Sequence, residues 1–319
     1  MLTRVKKQIK KREELLRTIG LLLLVFVVMS FVSEHFFTTR NIGVWLNSFS
    51  VYGIAALGMT FAIIAGYLDM ATPSIIGLSA VVFVLSMEKL GLVGAALLAL
   101  ICCALAGSIT GFLVAKFKLN AFVTSYAMQF AVKGVGLVIS GSTTIPFNNP
   151  KLTMLITTKL FGFLPVTFLV FVAVMLVAQY ILSRTTFGRN LYAIGGNKEA
   201  AQSVGINIEK HQVLVFAICG LFAGFAGLIL TLRLSSGSAV QAETSIMEMI
   251  PMVILGGTSF SGGKGGAFQT LLGAMLMGLL FNAMSLFNVY ANVQNIIKGL
   301  VLVIVIVSDK YLENKRHRV

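Results

Sequence analysis

The residues of this chain able to do chemistry are few and scattered. The run Gly256-Gly257-Thr258-Ser259-Phe260-Ser261-Gly262-Gly263-Lys264-Gly265-Gly266 invites comparison with a phosphate-binding loop. Such a loop needs Gly-x-x-x-x-Gly-Lys followed by Ser or Thr, so that backbone amides cradle the phosphates and the hydroxyl reaches a metal. With Gly263-Lys264 in register, the first position falls on Thr258 and the lysine is followed by Gly265, so the pattern fails. Asp69, Lys133 and Glu248 are ionisable and lie in or beside apolar runs. At membrane depth such a group marks a solute or ion path, and at a helix end it is simply solvated; for Asp69 the helix-end reading is preferred. No His-Glu-x-x-His, no Gly-x-Ser-x-Gly and no pair of carboxylates within one run is present. Cys102, Cys103 and Cys219 lie inside apolar runs without metal-ligand spacing, and His35, His211 and His317 are scattered. A catalytic constellation is therefore not expected, and neither is a cofactor or metal held by this chain.

Composition explains what must position these residues. Of 319 residues, 57% are hydrophobic and 11% charged, with mean hydropathy +0.92. Soluble domains carry roughly a quarter charged residues. The expected fold is an all-α integral membrane protein, a polytopic bundle of about ten transmembrane helices, some short or broken. A basic N-terminus at 1–18, a transmembrane domain at 19–310 and a tail at 311–319 divide the chain. The net charge of +14 does not argue for nucleic acid, because seven Lys/Arg fall within Met1–Arg17 and four within Lys310–Arg318. Basic residues collect on the cytoplasmic side. Both termini are therefore expected to be cytoplasmic, with an even number of crossings, in a bacterial plasma membrane.

The first apolar run, Thr18 to Val32, follows basic residues as a secretory signal does. Large residues at Phe31 and Val32 argue against cleavage, so it is read as a span. Ile42 to Ala65 is a second span, rich in Gly and Ala. Gly66 to Ser74 is a break, with Thr72 as cap and Pro73 at the first position of a short run, Ser74 to Met87. Gly91 to Phe117 contains Gly107-x-x-x-Gly111, a close-packing pattern. Gly141 to Leu164 is a long outer loop with two lysines and no acid, a docking surface for an external partner. Arg233 to Glu248 is read as outer loop, and Met249 to Leu255 as a very short apolar piece. The breaks at Gly66–Pro73 and Gly256–Gly266 each precede a small-residue span. Paired breaks in two halves of a chain point to a translocation pathway or gate; ordinary inter-helix turns at the cytoplasmic face are the alternative. The pathway candidates are Asp69, Ser74, Gly256, Gly257, Thr258, Ser259 and Ser261.

The longest polar segment between two apolar runs is Arg184 to His211. Gly195-Gly196 allow a tight turn, Asn197 is a good N-cap, and Glu199 suits the first helical turn. Ala200, Ala201 and Val204 fall on one face, and Gly205 closes the helix. The expectation is a helix of about two turns, Lys198 to Val204, offered to a partner outside the membrane.

At these residues the chain resembles the ribose/simple-sugar permeases of ATP-binding cassette importers. The resemblance is carried by Phe187-Gly188-Arg189, Tyr192-Ala193-Ile194-Gly195-Gly196-Asn197, Glu199-Ala200-Ala201 and Gly205-Ile206, and by Val253 to Gly265. It implies a transport subunit, not an enzyme, with residues 195–201, Val204 and Gly205 coupling it to an ATPase subunit that holds ATP and Mg. It further implies a second permease subunit, as homodimer or heterodimer, and an extracytoplasmic solute-binding protein. One motif departs: the family's Gly-Gly-Ile-Asp-Leu-Ser-Val-Gly-Ser reads Gly66-Tyr67-Leu68-Asp69-Met70-Ala71-Thr72-Pro73-Ser74 here. Permeases for branched-chain amino acids share the layout, so an amino acid is the other substrate class. A self-sufficient secondary transporter is the other mechanism.

Overall fold

The computed structural model describes residues 18–317, with side chains described through Tyr311. The basic lead-in at 1–17 and the final residues of the basic tail, 318–319, lie outside the described residues. Among the described residues the chain is predominantly helical, and its strands are four two-residue pieces paired in two antiparallel ladders, one a local hairpin and the other joining segments far apart in sequence. Seven helices among the described residues are long and apolar enough to cross a membrane. The protein is an all-α polytopic membrane protein.

The centre is α2, Thr39–Ile64, which packs on α9, α11, α6 and α10. Its most apolar window is 83% buried within the chain, against 6% for the last helix, so one is the axis and the other the rim. Before it, α1 (Thr18–Val32) is held by an aromatic cluster, with Phe26 5.1 Å from Phe36 and 5.7 Å from Trp45. After it, α3 (Thr72–Lys116) is two helices in one, because Gly91 takes φ 65° and ψ −179°. The halves, 72–90 and 92–116, run antiparallel: the Cys103 thiol meets the Ile75 carbonyl at 3.6 Å. The first half is thus a nearly full span of about 28 Å, not the short run read from Ser74 to Met87. Glu88 and Lys89 end the apolar run at Met87, although the helix continues to residue 90.

Small residues let α3 and α9 (Ile208–Leu234) touch backbone to backbone. A Cβ on Gly107 would strike the Phe216 carbonyl, and one on Gly220 would strike that of Cys103. The Gly107-x-x-x-Gly111 pattern is therefore spent on this contact. α4 (Ala121–Ile139) follows, with Lys133 ion-paired to Glu243 at 2.6 Å rather than facing the bundle interior. The segment read as the long outer loop folds on itself around α5 (Pro150–Thr157), and Ile145–Pro146 pairs with Ser236–Gly237. Next come α6 (Val166–Arg184), α7 (Thr186–Gly196) and α8 (Lys198–Ser203).

α10 (Ile246–Leu255) is a half-length helix, α11 (Ala267–Leu286) a full span, and α12 (Ala291–His317) closes the chain. α10 starts earlier than the piece read from Met249, and Glu248, read as outer loop, is buried in its first turn. Arg233 likewise lies in the last turn of α9. The Thr18 hydroxyl donates to the Leu255 carbonyl at 3.4 Å, and the Phe260 amide donates to Asp309 at 3.0 Å. Both ends of the described chain therefore lie on one face, which also carries residues 184–211. We call this the proximal face, and the one carrying α5 the distal face.

Candidate functional site

Three glycine-bearing segments meet on the proximal face. They are the end of α2 with Gly66, the end of α7 with Gly195-Gly196, and the turn Gly262-Gly263 between α10 and α11. The Gly263 amide donates to the Ile64 carbonyl at 2.8 Å. A Cβ on Gly195 would strike that same carbonyl and lie 2.6 Å from the Gly263 nitrogen. A Cβ on Gly263, already at φ +71°, would lie 3.0 Å from the Gly196 backbone, and one on Gly262 3.1 Å from the Gly66 nitrogen. Only glycine permits this approach at Gly195, where no side-chain atom separates the chains. The Tyr192 hydroxyl adds a side-chain tie, donating to the Gly265 carbonyl at 2.9 Å. Burial pushes that hydroxyl up to about 12, so it remains a donor at any physiological pH.

The junction lies at the rim of the bundle. The Thr167 hydroxyl, at the start of α6, donates to the Asn47 side chain at 2.7 Å. From those partners, equal lengths of helix, about 25 Å, carry α2 to Ile64 and α6 to Arg184. The two breaks thus stand level with the end of α6, not halfway along it.

The polar segment differs in three ways from its sequence reading. Gly195 and Gly196 are not a turn before a helix; they are the last turn of α7, an 11-residue helix. Gly195 is the contact point just described and Gly196 is exposed. α8 is six residues long, with Val204 as its C-cap. The expected common face of Ala200, Ala201 and Val204 is split: Ala201 is 3% exposed and packs inward, whereas Ala200 is exposed and Val204 is 76% exposed. With so few residues, α8 has one inward position per turn, and Ala201 takes it. The caps are as read. The Asn197 side chain accepts from the Ala200 amide at 2.9 Å, and Glu199 lies in the first turn. Gly205, at φ +85°, lets the Ile206 amide reach back to the Ala201 carbonyl at 3.1 Å. Lys198 and Glu199 are exposed beside Ala200.

Asp69 is fully buried just before α3. Its carboxylate accepts from the Ala71 amide at 2.9 Å and the Thr72 hydroxyl at 3.3 Å. Thr72 was expected to cap α3; the cap residue is Ala71, and Asp69 supplies the acceptor. Replacing Asp69 by asparagine keeps an oxygen for the Ala71 amide, whereas leucine strands that buried donor at about 1–3 kcal/mol and leaves the Thr72 hydroxyl only the main-chain carbonyl of residue 69, at 3.5 Å. Asp69→Leu should therefore lower the melting temperature of the detergent-solubilised protein well below that of Asp69→Asn. Equal melting temperatures would remove the capping role.

Among the other pathway candidates, Ser74 is buried in the first turn of α3. Gly256 packs against the Gln269 carbonyl with no room for a side chain, and Gly257 turns the chain at φ +103°. Thr258 is buried with its hydroxyl unbonded, Ser259 is half-buried and Ser261 exposed. The two breaks meet through backbone at Gly66 and Gly262. No hydrogen bond joins Asp69 or Ser74 to residues 256–261 among the described residues.

Two features carry no expectation from the sequence, one in the site and one outside it. α7 had a signal, since Leu191 and Ile194, its buried apolar residues, lie one turn apart. The other feature lies away from the junction, at the far end of α10: an ion pair at 2.6 Å between Lys298 of α12 and Glu248 of α10, fifty positions apart.

The profile of a family described as branched-chain amino acid transport system / permease component matches residues 41–306. The ribose import permease protein RbsC of Haemophilus influenzae is 35% identical over 92% of this chain and 93% of its own length. That of Bacillus subtilis is 34% identical over 92% of this chain and 91% of its own. The L-arabinose transport system permease protein AraH of Escherichia coli is 31% identical over 92% and 90% respectively. No solved structure matches the chain. Near-complete coverage in both directions, on a polytopic helical fold, means that the chain belongs to the transport-system permease family in which the ribose and L-arabinose permeases are found.

Proposed function

We propose that this chain is the membrane-spanning subunit of an ATP-driven importer for a pentose or a related small sugar. The observation that carries the substrate class is its end-to-end similarity to ribose and L-arabinose permeases. The proximal face is cytoplasmic in this reading, as the basic residues of both termini indicate. The exposed residues of 195–205 receive an ATPase subunit, which binds ATP and Mg. The distal face, with α5, receives a solute-binding protein, and a second permease subunit completes the pathway. The geometry supports a mechanical role for the polar segment. α7 bears on both α2 and the turn after α10 through backbone contacts, so a push on α8 reaches the discontinuous part of the bundle without crossing a flexible side chain.

The test uses vesicles holding the permease with its ATPase, supplied with the loaded binding protein. Sugar should accumulate only with ATP, and Gly196→Trp or Glu199→Lys should leave ATP hydrolysis running while uptake falls. Unchanged coupled uptake in both variants would sink the role of the segment. Uptake by the permease alone on an ion gradient would establish a secondary transporter instead. Leucine chosen over pentoses would move the substrate to the amino-acid class that the family description names.

A further inference from the structure

Beside α8 lies a cleft that shares Lys198 and Gln202 with the proposed coupling segment but extends past it to the turn between α3 and α4. One part, ≈ 590 Å³, is lined by Lys118, Lys198, Gln202, Asn207 and Glu209. An adjoining part, ≈ 470 Å³, also bounded by Lys198, reaches inward to Gly66, Tyr67 and Gln212. One wall is α8 with the start of α9, and the other is the turn joining α3 to α4. That turn is stiff. Lys118 takes the left-handed conformation, at φ 54°, and Asn120 caps α4 two residues later through bonds of 2.9 and 3.3 Å to the Phe122 and Val123 amides. Lys118 and Lys198 thus flank the cleft from opposite walls on short, capped backbone. Glu209 is the one acid among the lining residues, and neither lysine takes part in an ion pair among the described residues.

We infer that this cleft is a socket for an acidic side chain of the ATPase subunit, so that docking has two parts: α8 enters the partner, and a carboxylate of the partner enters beside α8. This rests on the reading of α8 as the docking element, since whatever seats on the outward face of α8 passes the cleft mouth. Two ammonium groups on opposed walls select an anion. The amides of Gln202, Asn207 and Gln212 provide donors for its remaining lone pairs. An anionic lipid headgroup has the same charge. The protein partner is favoured because one wall is built from α8 and the α8–α9 link, the element already read as the docking contact.

The experiment measures association of the full-length permease with its ATPase subunit, by co-purification and titration at low and high salt. Lys118→Glu/Lys198→Glu should weaken association by about tenfold or more, because the partner carboxylate then meets like charge. Lys118→Arg/Lys198→Arg should preserve it, and the wild-type affinity should fall with salt. Unchanged association in the Glu variant overturns the socket. So does an anionic phospholipid that co-purifies with wild type, leaves with the Glu variant, and does so without loss of the ATPase. Glu199→Lys separates the two readings: if it releases the ATPase while the lysine variants do not, the socket alone fails. If neither releases it, docking at α8 fails as well.

Discussion

Gly195→Val will abolish coupled uptake in a chain that still inserts and folds. The Cβ of any residue at this position collides with the Ile64 carbonyl and crowds the Gly263 nitrogen at 2.6 Å. Both obstacles are backbone, so no rotamer relieves them. Either α7 withdraws from the bundle or the Gly263–Ile64 hydrogen bond of 2.8 Å opens. Overpacking of this kind costs about 1–3 kcal/mol, equivalent to a roughly five- to 150-fold loss of the closed junction. Of the transmembrane helices only the last residue of α2, Ile64, is touched, which is why insertion should persist.

The matching control is Gly134→Ala on α4, where an added Cβ meets nothing within 4 Å. That change should leave uptake at the wild-type level and slightly favour the helix. In reconstituted vesicles the valine variant should hydrolyse ATP without moving sugar. Gly195→Ala should fall between the two, since its methyl makes the same backbone collision without the added bulk of the two valine Cγ atoms. Uptake at the wild-type rate in Gly195→Val would show that the junction can open without consequence, and α7 would lose its mechanical role.

The sequence carried much of this site because the junction is made of backbone, and backbone contact leaves glycine behind as its mark. The runs at 66, 195–196 and 256–266 were each visible. Their meeting was not, since glycine records that something comes close but not what. The caps at Asn197 and Gly205 were legible for the same local reason: a side-chain oxygen or a positive φ acts within four residues. Which face of α8 points inward was not legible, because six residues are too few for a hydrophobic period to choose between Ala200 and Ala201. At Gly91 the apolar run was misjudged, since Glu88 and Lys89 near a helix end resemble a loop. Glu248 was misplaced for a related reason. A lone carboxylate reads as solvent-facing unless its cation is known, and the cation comes fifty positions later.

That pair is the basis of the second large effect. Glu248 and Lys298 are both mostly buried, at 9% and 14% side-chain exposure. Lys298 also stands 4.8 Å above the Phe281 ring of α11. Removing one partner strands the other charge among apolar helices, which costs roughly 3–5 kcal/mol, whereas removing both can be close to neutral. The consequence falls on α12, whose most apolar window is only 6% buried. Its ties to the discontinuous segment include this pair at the start of α10 and the Asp309–Phe260 contact just beyond its end. α12 thus splints α10 along its whole length, and a helix of ten residues needs such support. Glu248→Gln and Lys298→Met should each destabilise the purified protein sharply in a detergent thermal-shift measurement. The double variant should be more stable than either single one. The reversed pair, Glu248→Lys with Lys298→Glu, should recover only part of the loss, because a carboxylate over Phe281 faces the negative side of the ring where the ammonium was attracted. Additive losses in the double variant would mean the two charges are held by other groups, and α12 would then be fastened to the bundle by packing alone.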